Sequence, residues 1–396
     1  MTLHYNFPEN ITLSEVRDII KDNHNFILAD KGDYIVANYV RSGNDTHPPV
    51  VDRANAILRE LRGLIFDAAT GEVISRRYHK FFNLGEREDV VDIDVSRDHI
   101  ILNKLDGSMI TPFRTSNGNL YWGTKMGVTE VADQALKFVS TRKNYTEFAN
   151  MAIDEGFTPI FEWTSNKQRI VLNYPEDDLI FIAMRNNKTG YYVPYECIVV
   201  NAMRYGINYV RSYEIKRLSS DNLNFNIDVA GFISGIKSLE NEEGIVIRFN
   251  SGHMVKLKSD WYVSLHRAKS LLENERDVVG IVLDNGEDDL YPLLDEEDKD
   301  RLYNFAEGLW KDIFAMESKV NSNLWHSSSM SRKEFALSIA DQSPSFRSLS
   351  FIGFDRKKIE ISEITNLIRK RLGSKRTFEQ CNDIITVKWN EIKLGD

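Results

Sequence analysis

Over the first two thirds of the chain, apolar and polar residues alternate in short runs, the period of half-buried strands. Phe26–Ala29 and Tyr34–Val40 flank the turn Asp30-Lys-Gly-Asp33, and Leu61–Asp67 and Glu72–Arg77 flank Ala-Thr-Gly71. His99–Leu102, Met109–Phe113, Thr158–Trp163, Leu179–Met184, Gly244–Phe249 and Met254–Leu257 read as further strands. Thr12-Leu-Ser-Glu15 has the capping-box pattern that opens a short helix. Many short strands with helices between them predict an α+β fold built on antiparallel sheets.

After Trp261 the period changes. Leu302, Phe305, Leu309, Ile313, Met316 and Val320 step by three and four, the spacing of one helical face. Ser331-Arg-Lys-Glu334 opens another helix, through about Ala340, and Ile361–Leu372 reads as a helix stopped by Gly373. The expected organisation is a strand-rich domain over residues 1–260 and a mostly helical one over 261–396, with no Pro/Gly-rich linker between them.

Length and composition fit a soluble globular chain of two or three domains: 396 residues, 42% hydrophobic and 28% charged. No apolar run approaches a membrane span, and the N-terminus lacks a basic, apolar leader. Two distant cysteines, Cys197 and Cys381, fit no metal or redox spacing, so a reducing cytosol is expected. Fifty basic residues against 59 acidic ones give a net charge of −9, which argues against a protein that coats nucleic acid through bulk charge. Nucleic acid as a substrate stays open, because a local cationic cluster suffices.

Lys104-Leu-Asp-Gly follows an apolar strand, where a lysine beside a tight turn can be held at a pocket wall. Alone, it reads equally well as an exposed lysine next to a hairpin. Other charges embedded in apolar strands change the balance: Arg62, Glu162 in Pro-Ile-Phe-Glu-Trp, and Glu243 opening Glu-Gly-Ile-Val-Ile-Arg-Phe249. Lys256 and Lys258 flank Leu257, so both ammonium groups face one side of a strand while Val255 and Leu257 face the other. Together these residues suit a nucleotide.

This ordered set resembles the motif series of the covalent nucleotidyltransferases, the ATP-dependent DNA and RNA ligases and the mRNA capping enzymes. Arg62-Gly-Leu-Ile-Phe-Asp, His79-Lys-Phe-Phe-Asn-Leu-Gly-Glu86, Phe161-Glu-Trp and Val255-Lys-Leu-Lys-Ser-Asp-Trp-Tyr262 are most similar, in order and spacing, to the phage RNA ligase 1 family. The likeness covers roughly residues 30–265. It implies an ATP-dependent ligase that joins 5′-phosphate and 3′-hydroxyl ends of single-stranded RNA through a lysyl–AMP and then an RNA-adenylate.

By that resemblance Lys104 is the nucleophile that carries AMP, Glu162 binds the ribose, and Arg62 lies near the ribose or phosphate. Lys256 and Lys258 grip the α-phosphate, Lys80 and Tyr39 complete the ATP pocket, and Lys125 orients the triphosphate. Glu243 acts on the metal side and Tyr262 supports later steps. A free lysine (pKa ~10.4) is a poor nucleophile at neutrality, and neighbouring cations with partial burial favour its reactive form. Magnesium is expected on the departing pyrophosphate.

The acidic stretch Asp284–Asp298 offers Asp288 as a metal carboxylate, although acidic residues also favour helix N-termini. Arg369-Lys-Arg371 and Lys375-Arg376 either grip RNA or suit a helix C-terminus. Which aromatic stacks on adenine is left open, with Phe161, Trp163, Tyr191 and Tyr192 considered. His79 is a weaker functional choice than Lys80.

Expected partners are single-stranded RNA or a nicked tRNA loop and a separate end-healing polynucleotide kinase/phosphatase, with no membrane and the chain a monomer in the host cytosol if phage-encoded. RNA binding is a candidate role for the helical domain. The alternatives are a DNA ligase or capping guanylyltransferase of the same superfamily, or a non-catalytic nucleic-acid-binding or virion protein.

Overall fold

The structure, a computed structural model, describes residues 7–40, 46–86, 98–167, 170–212 and 229–392. The chain forms two compact units, Met1–Val263 and Ser264–Asp396.

The first unit is α+β. Its strands are β1 (Phe26–Asp30), β2 (Tyr34–Tyr39), β3 (Arg62–Asp67), β4 (Val73–Ser75), β5 (Phe82–Asn83), β6 (His99–Asn103), β7 (Ser108–Arg114), β8 (Leu120–Gly123), β9 (Phe157–Thr164), β10 (Asp178–Asn186), β11 (Gly244–Phe249) and β12 (Met254–Lys258). They make three four-stranded sheets, ordered β1-β2-β3-β4, β10-β9-β7-β8 and β5-β12-β11-β6. Every named pairing is antiparallel except β5 with β12.

Helices α1 (Leu13–Ile20), α2 (Arg53–Glu60), α3 (Glu130–Ser140), α4 (Lys143–Asp154), α5 (Tyr195–Tyr205) and α6 (Val229–Lys237) cover this unit's sheets, and α7 (Asp260–Leu272) starts at its C-terminal end. Thr12 caps α1 as the sequence predicts, accepting from the Glu15 amide, but the Glu15 carboxylate binds Arg53 instead of returning to the cap.

Strand alternation decides what faces the site. On β11 and β12, Ile245, Ile247, Val255 and Leu257 enter a core with Ile101 and Ile236. The residues between them, Val246, Lys256 and Lys258, face a cavity on the other side.

A second feature fixes this unit from within. Glu60, at the end of α2, is fully buried and bound by two guanidiniums that are themselves inaccessible: Arg185 at 2.7 Å through two nitrogens, and Arg76 at 3.1–3.2 Å. Arg76 also donates to the Pro8 carbonyl, and Arg185 to the carbonyls of Arg77 and Gly190. Beside them Phe7 packs edge-on to His79, Tyr191 and Tyr192.

The second unit is helical, with α8 (Glu275–Leu283), α9 (Glu287–Leu290), α10 (Glu296–His326), α11 (Arg332–Ser338), α12 (Pro344–Gly353), α13 (Ile361–Arg371) and α14 (Lys375–Phe378). Leu302, Phe305, Leu309, Ile313, Met316 and Val320 form the buried face of α10, as their spacing predicts, and Ser331 and Glu334 make a reciprocal capping box. No helix among the described residues is long and apolar enough to cross a membrane.

Candidate active site

The strand ends of the first unit converge on a cavity of about 260 Å³. Lys104 stands just past β6, and its backbone amide donates to the Gly244 carbonyl of β11. Lys256 and Lys258 come from β12, Arg62 starts β3, Glu162 lies on β9, and Tyr39 ends β2. All six line the cavity, as does Lys80. The structure thus brings together residues separated by most of the unit's length.

Two motif glycines allow this approach. A side chain at Gly107 would fall on the Trp163 carbonyl and the Glu162 stem. Gly244 has φ +135, and a Cβ there would meet the Leu257 carbonyl and Lys258. Each glycine lets a lysine-bearing segment lie against a neighbouring strand.

Glu243 is 2% exposed and accepts from two cations, Lys104 Nζ at 2.7 Å and Lys258 Nζ at 2.8 Å. Behind them is a polar latch. Asp106, 4% exposed, accepts from the amides of Val171 (2.8 Å) and Leu172 (2.7 Å) and from the Tyr262 hydroxyl (2.7 Å), and its own amide donates to the Tyr174 hydroxyl. Burial, Glu243 and the bond to Asp106 push the Tyr262 hydroxyl far up, so it stays a donor. Ser259 places Tyr262 by accepting from its amide. Asp106→Asn keeps the size but loses acceptor capacity on a fully engaged carboxylate. It should lower stability by about 1–3 kcal/mol, read by thermal melting.

The field is strongly positive. Burial pushes Glu162 up to about 7, with Lys104 and Arg62 opposing and Glu243 adding. Burial and then Lys80, Lys104 and Arg62 push Lys256 down to about 7. Burial also lowers Lys80, while for Tyr39 the cations Arg62, Lys125 and Lys80 outweigh burial and lower the hydroxyl. Lys125 does not line the cavity itself but sits 5.1 Å from the Tyr39 ring, as Lys80 does at 5.5 Å.

The signs of these shifts predict a pH profile. Below about pH 7 Glu162 gains a proton, and above it Lys256 loses one, so both carry charge together only near neutrality. Any catalysis that needs both charges should therefore follow a bell-shaped pH profile around pH 7, and Lys256→Arg should flatten its alkaline limb. An unchanged alkaline limb in that variant would remove Lys256 from the profile.

Stability follows from the same shifts. From pH 4.5 to about 7 folding takes up a proton at Glu162, so this group's contribution falls as pH rises. From about 7 to 10.5 the folded Lys256 lacks a proton that the unfolded chain holds, so its contribution rises with pH. Together the two groups cost most near neutrality.

Sequence reasoning missed several parts of this site. The latch carboxylate Asp106 lay inside the lysine motif without a role. Phe161 and Trp163 are core residues, Tyr191 is half-exposed, and Tyr192 is bonded to His79; the aromatics at the cavity are Tyr39, Tyr78 and Phe81. Burial holds His79 well below its usual range, so it is neutral and structural.

Asp288 is in the first turn of α9 in the second unit. Among the described residues no three His, Cys, Asp or Glu side chains are grouped to hold a metal. The neighbouring acids serve the helix: Asp295 caps α10, and Lys269 binds Asp295 and Asp298 at 3.2 Å. In the basic tail Arg369 bonds Asp284 and the Leu283 carbonyl, and Arg371 bonds Ser345 and the Gln380 carbonyl, so both tie this unit together.

Comparison with known proteins bears on this geometry. The chain is 26% identical over 323 residues to a Thermovibrio ammonificans protein named as an RNA ligase, spanning 78% of this chain and 80% of the relative. A protein of Autographa californica nuclear polyhedrosis virus named as a bifunctional polynucleotide kinase/RNA ligase is 27% identical over 310 residues, 73% of this chain but only 41% of the viral protein. Among solved structures, an archaeal ATP-dependent RNA ligase aligns at 16% identity with TM-score 0.44, over 65% of this chain and 64% of its own. The family model described as RNA ligase matches residues 60–262, just over half of the chain and the stretch that carries the cavity, and the chain belongs to that family.

Proposed function

We propose that the protein seals single-stranded RNA, joining a 5′-phosphate to a 3′-hydroxyl at the expense of ATP. The observation that carries this reading is Lys104 at the wall of a cavity that also holds Arg62, Lys80, Lys256 and Lys258. Such an excess of cations suits a polyphosphate, which supports Lys104 as the nucleophile.

In the proposed sequence the deprotonated Lys104 amine attacks the α-phosphorus of ATP. A nitrogen–phosphorus bond forms and pyrophosphate leaves. The RNA 5′-phosphate then takes AMP from Lys104, and the 3′-hydroxyl displaces AMP as the phosphodiester forms. Lys256 and Lys258 would hold the α-phosphate oxygens and stabilise their charge in the transition state. Glu162 would bind the ribose, with Tyr39, Arg62, Lys80 and Lys125 around the rest of ATP.

A divalent ion, magnesium in this reading, neutralises charge on the leaving pyrophosphate when bound. Such an ion needs only one or two carboxylates plus substrate phosphates and water; Glu243 would supply one by releasing Lys104 or Lys258, and Asp288 is the weaker candidate.

Residues 261–396 would engage the RNA, with nicked tRNA as the repair substrate and the host cytosol as the setting. A viral relative named as both kinase and ligase supports pairing with an end-healing activity. The test mixes the protein with magnesium and ATP labelled at its α-phosphate, then offers single-stranded RNA, nicked DNA or a triphosphate-ended RNA. Label bound to protein and passed only to RNA is expected. Sealing of nicked DNA alone, or labelling by GTP, would replace this reading with a DNA ligase or a capping enzyme.

A further inference from the structure

At one end of the second unit, cations gather around an exposed indole that the chemistry above does not use. Trp325, in the last turn of α10, is 76% exposed. One turn earlier, Asn321 exchanges two hydrogen bonds with the backbone of Ile359, and a Cβ on Gly353 would fall on Leu324. The end of α12 and the turn after it therefore lie beside the Trp325 end of α10. Three phenylalanines pack beneath: Phe335 of α11 lies 4.7 Å from Phe354 and 5.8 Å from Phe351.

Two cations share the Phe354 ring, Lys357 at 4.0 Å from its centroid and Arg332 at 5.8 Å. Lys357 holds φ +57, a left-handed backbone that favours glycine, so its side chain is kept against the local preference. Lys333 and Lys358, both exposed, adjoin the pair in the chain.

The acids nearby in the chain are already engaged. Glu334 bonds Ser331, Asp355 lies 3.6 Å from Arg332, Glu360 caps α13, and Glu363 pairs with Arg356. Lys333, Lys357 and Lys358 have no carboxylate partner among the described residues. From Lys311 to His326, no exposed position of α10 carries a carboxylate.

Unneutralised cations held this close repel one another and favour an anion, even in a chain of net charge −9. An exposed indole favours a flat apolar partner. An unpaired nucleotide strand offers both, with phosphates for the cations and a free base face for the ring. We propose that Trp325, Arg332, Lys333, Lys357 and Lys358 form a docking surface for single-stranded RNA, with a base stacked on Trp325. The proposal rests on the RNA-sealing reading above. It places the contact apart from the basic tail, whose Arg369 and Arg371 make internal bonds.

The test measures equilibrium binding of a single-stranded RNA blocked at its 3′ end, without ATP, across a range of salt concentrations. Polyglutamate, an anion without bases, is the second probe, and thermal melting checks each fold. Replacing Arg332, Lys333 and Lys357 together by Gln should weaken RNA binding about tenfold or more and lower the salt slope by about two. Trp325→Ala should weaken it about fivefold or more with the slope unchanged, and Trp325→Phe should restore most of the loss. Polyglutamate binding should not respond to Trp325→Ala. Wild-type affinity for RNA in Trp325→Ala, an exposed truncation, would overturn the proposal even if the triple variant failed to fold. Equal losses for RNA and polyglutamate in Trp325→Ala would also overturn it, and would point to an acidic protein partner. Wild type that binds RNA in this way but takes no AMP from ATP would bring down the sealing reading and leave the surface standing.

Discussion

Replacing Lys104 by alanine is expected to abolish covalent attachment of AMP, by a factor on the order of 10⁴ or more. Lys256 projects from the next row of the sheet, and Lys258 shares the Glu243 carboxylate with Lys104. Lys104→Arg should be equally inert, because guanidinium keeps its charge at any workable pH. The substitution removes a partly exposed side chain, so folding should survive. Supplying RNA already carrying a 5′-adenylate bypasses the bond to Lys104, and joining should then return in the alanine variant. Undiminished joining of plain 5′-phosphate RNA by Lys104→Ala would end the covalent scheme. Failure to use adenylylated RNA would show instead that Lys104 also serves the last step.

The largest effect on stability is expected at Glu60. Burial opposes its ionisation, but Arg185 and Arg76 outweigh burial and hold the carboxyl down at about 2. Glu60→Gln leaves two inaccessible guanidiniums without their anion and should cost about 3–5 kcal/mol. For a unit of this size, that is a fall in melting temperature on the order of 10 °C. The pH dependence has a definite sign. A depressed folded-state pKa contributes stability that is present in full above 4.5 and is lost as pH falls toward about 2, so wild type and Glu60→Gln should converge in acid. Replacing Glu60, Arg76 and Arg185 together by Leu and Met should recover much of the loss, because the cost comes from unpaired charge. A Glu60→Gln melt indistinguishable from wild type would mean that water reaches this cluster.

Much of the site was legible because strands have a period of two. Glu162, Lys256 and Lys258 interrupt apolar runs, and a charge in such a place needs a purpose; the structure puts all three at one cavity. The ten strand runs fall within a residue or two of β1–β4, β6, β7 and β9–β12. The two strands not anticipated were short: β5 has two residues, too few for any period, and β8 has four.

The Glu60 cluster was hidden for another reason. A glutamate beside an arginine at the end of a short helix looks solvated, and its partners Arg76 and Arg185 lie 16 and 125 residues away. Arg248 lies within the motif run with no local signal of its own, and only its burial distinguishes it. Asp106 was equally silent, because its partners are backbone amides and two distant tyrosine hydroxyls.

The sheet that carries Lys104 and Lys256 also sets a timetable for synthesis. Strand β5 pairs with β12 and strand β6 with β11, both in residues 244–258, and Phe7 lies against Gly252. A nascent chain must hold its early strands unpaired until almost all of the first unit has left the ribosome, and pairing over such sequence distance is slow. The second unit closes late as well, because buried Trp389 bonds the Leu272 carbonyl and the Glu275 carboxylate more than a hundred residues back. Expression at reduced temperature, or with slower elongation before residue 244, should therefore change the yield of soluble protein. During that interval the exposed edges of β5 and β6 are the part of the chain most open to chaperones and to aggregation.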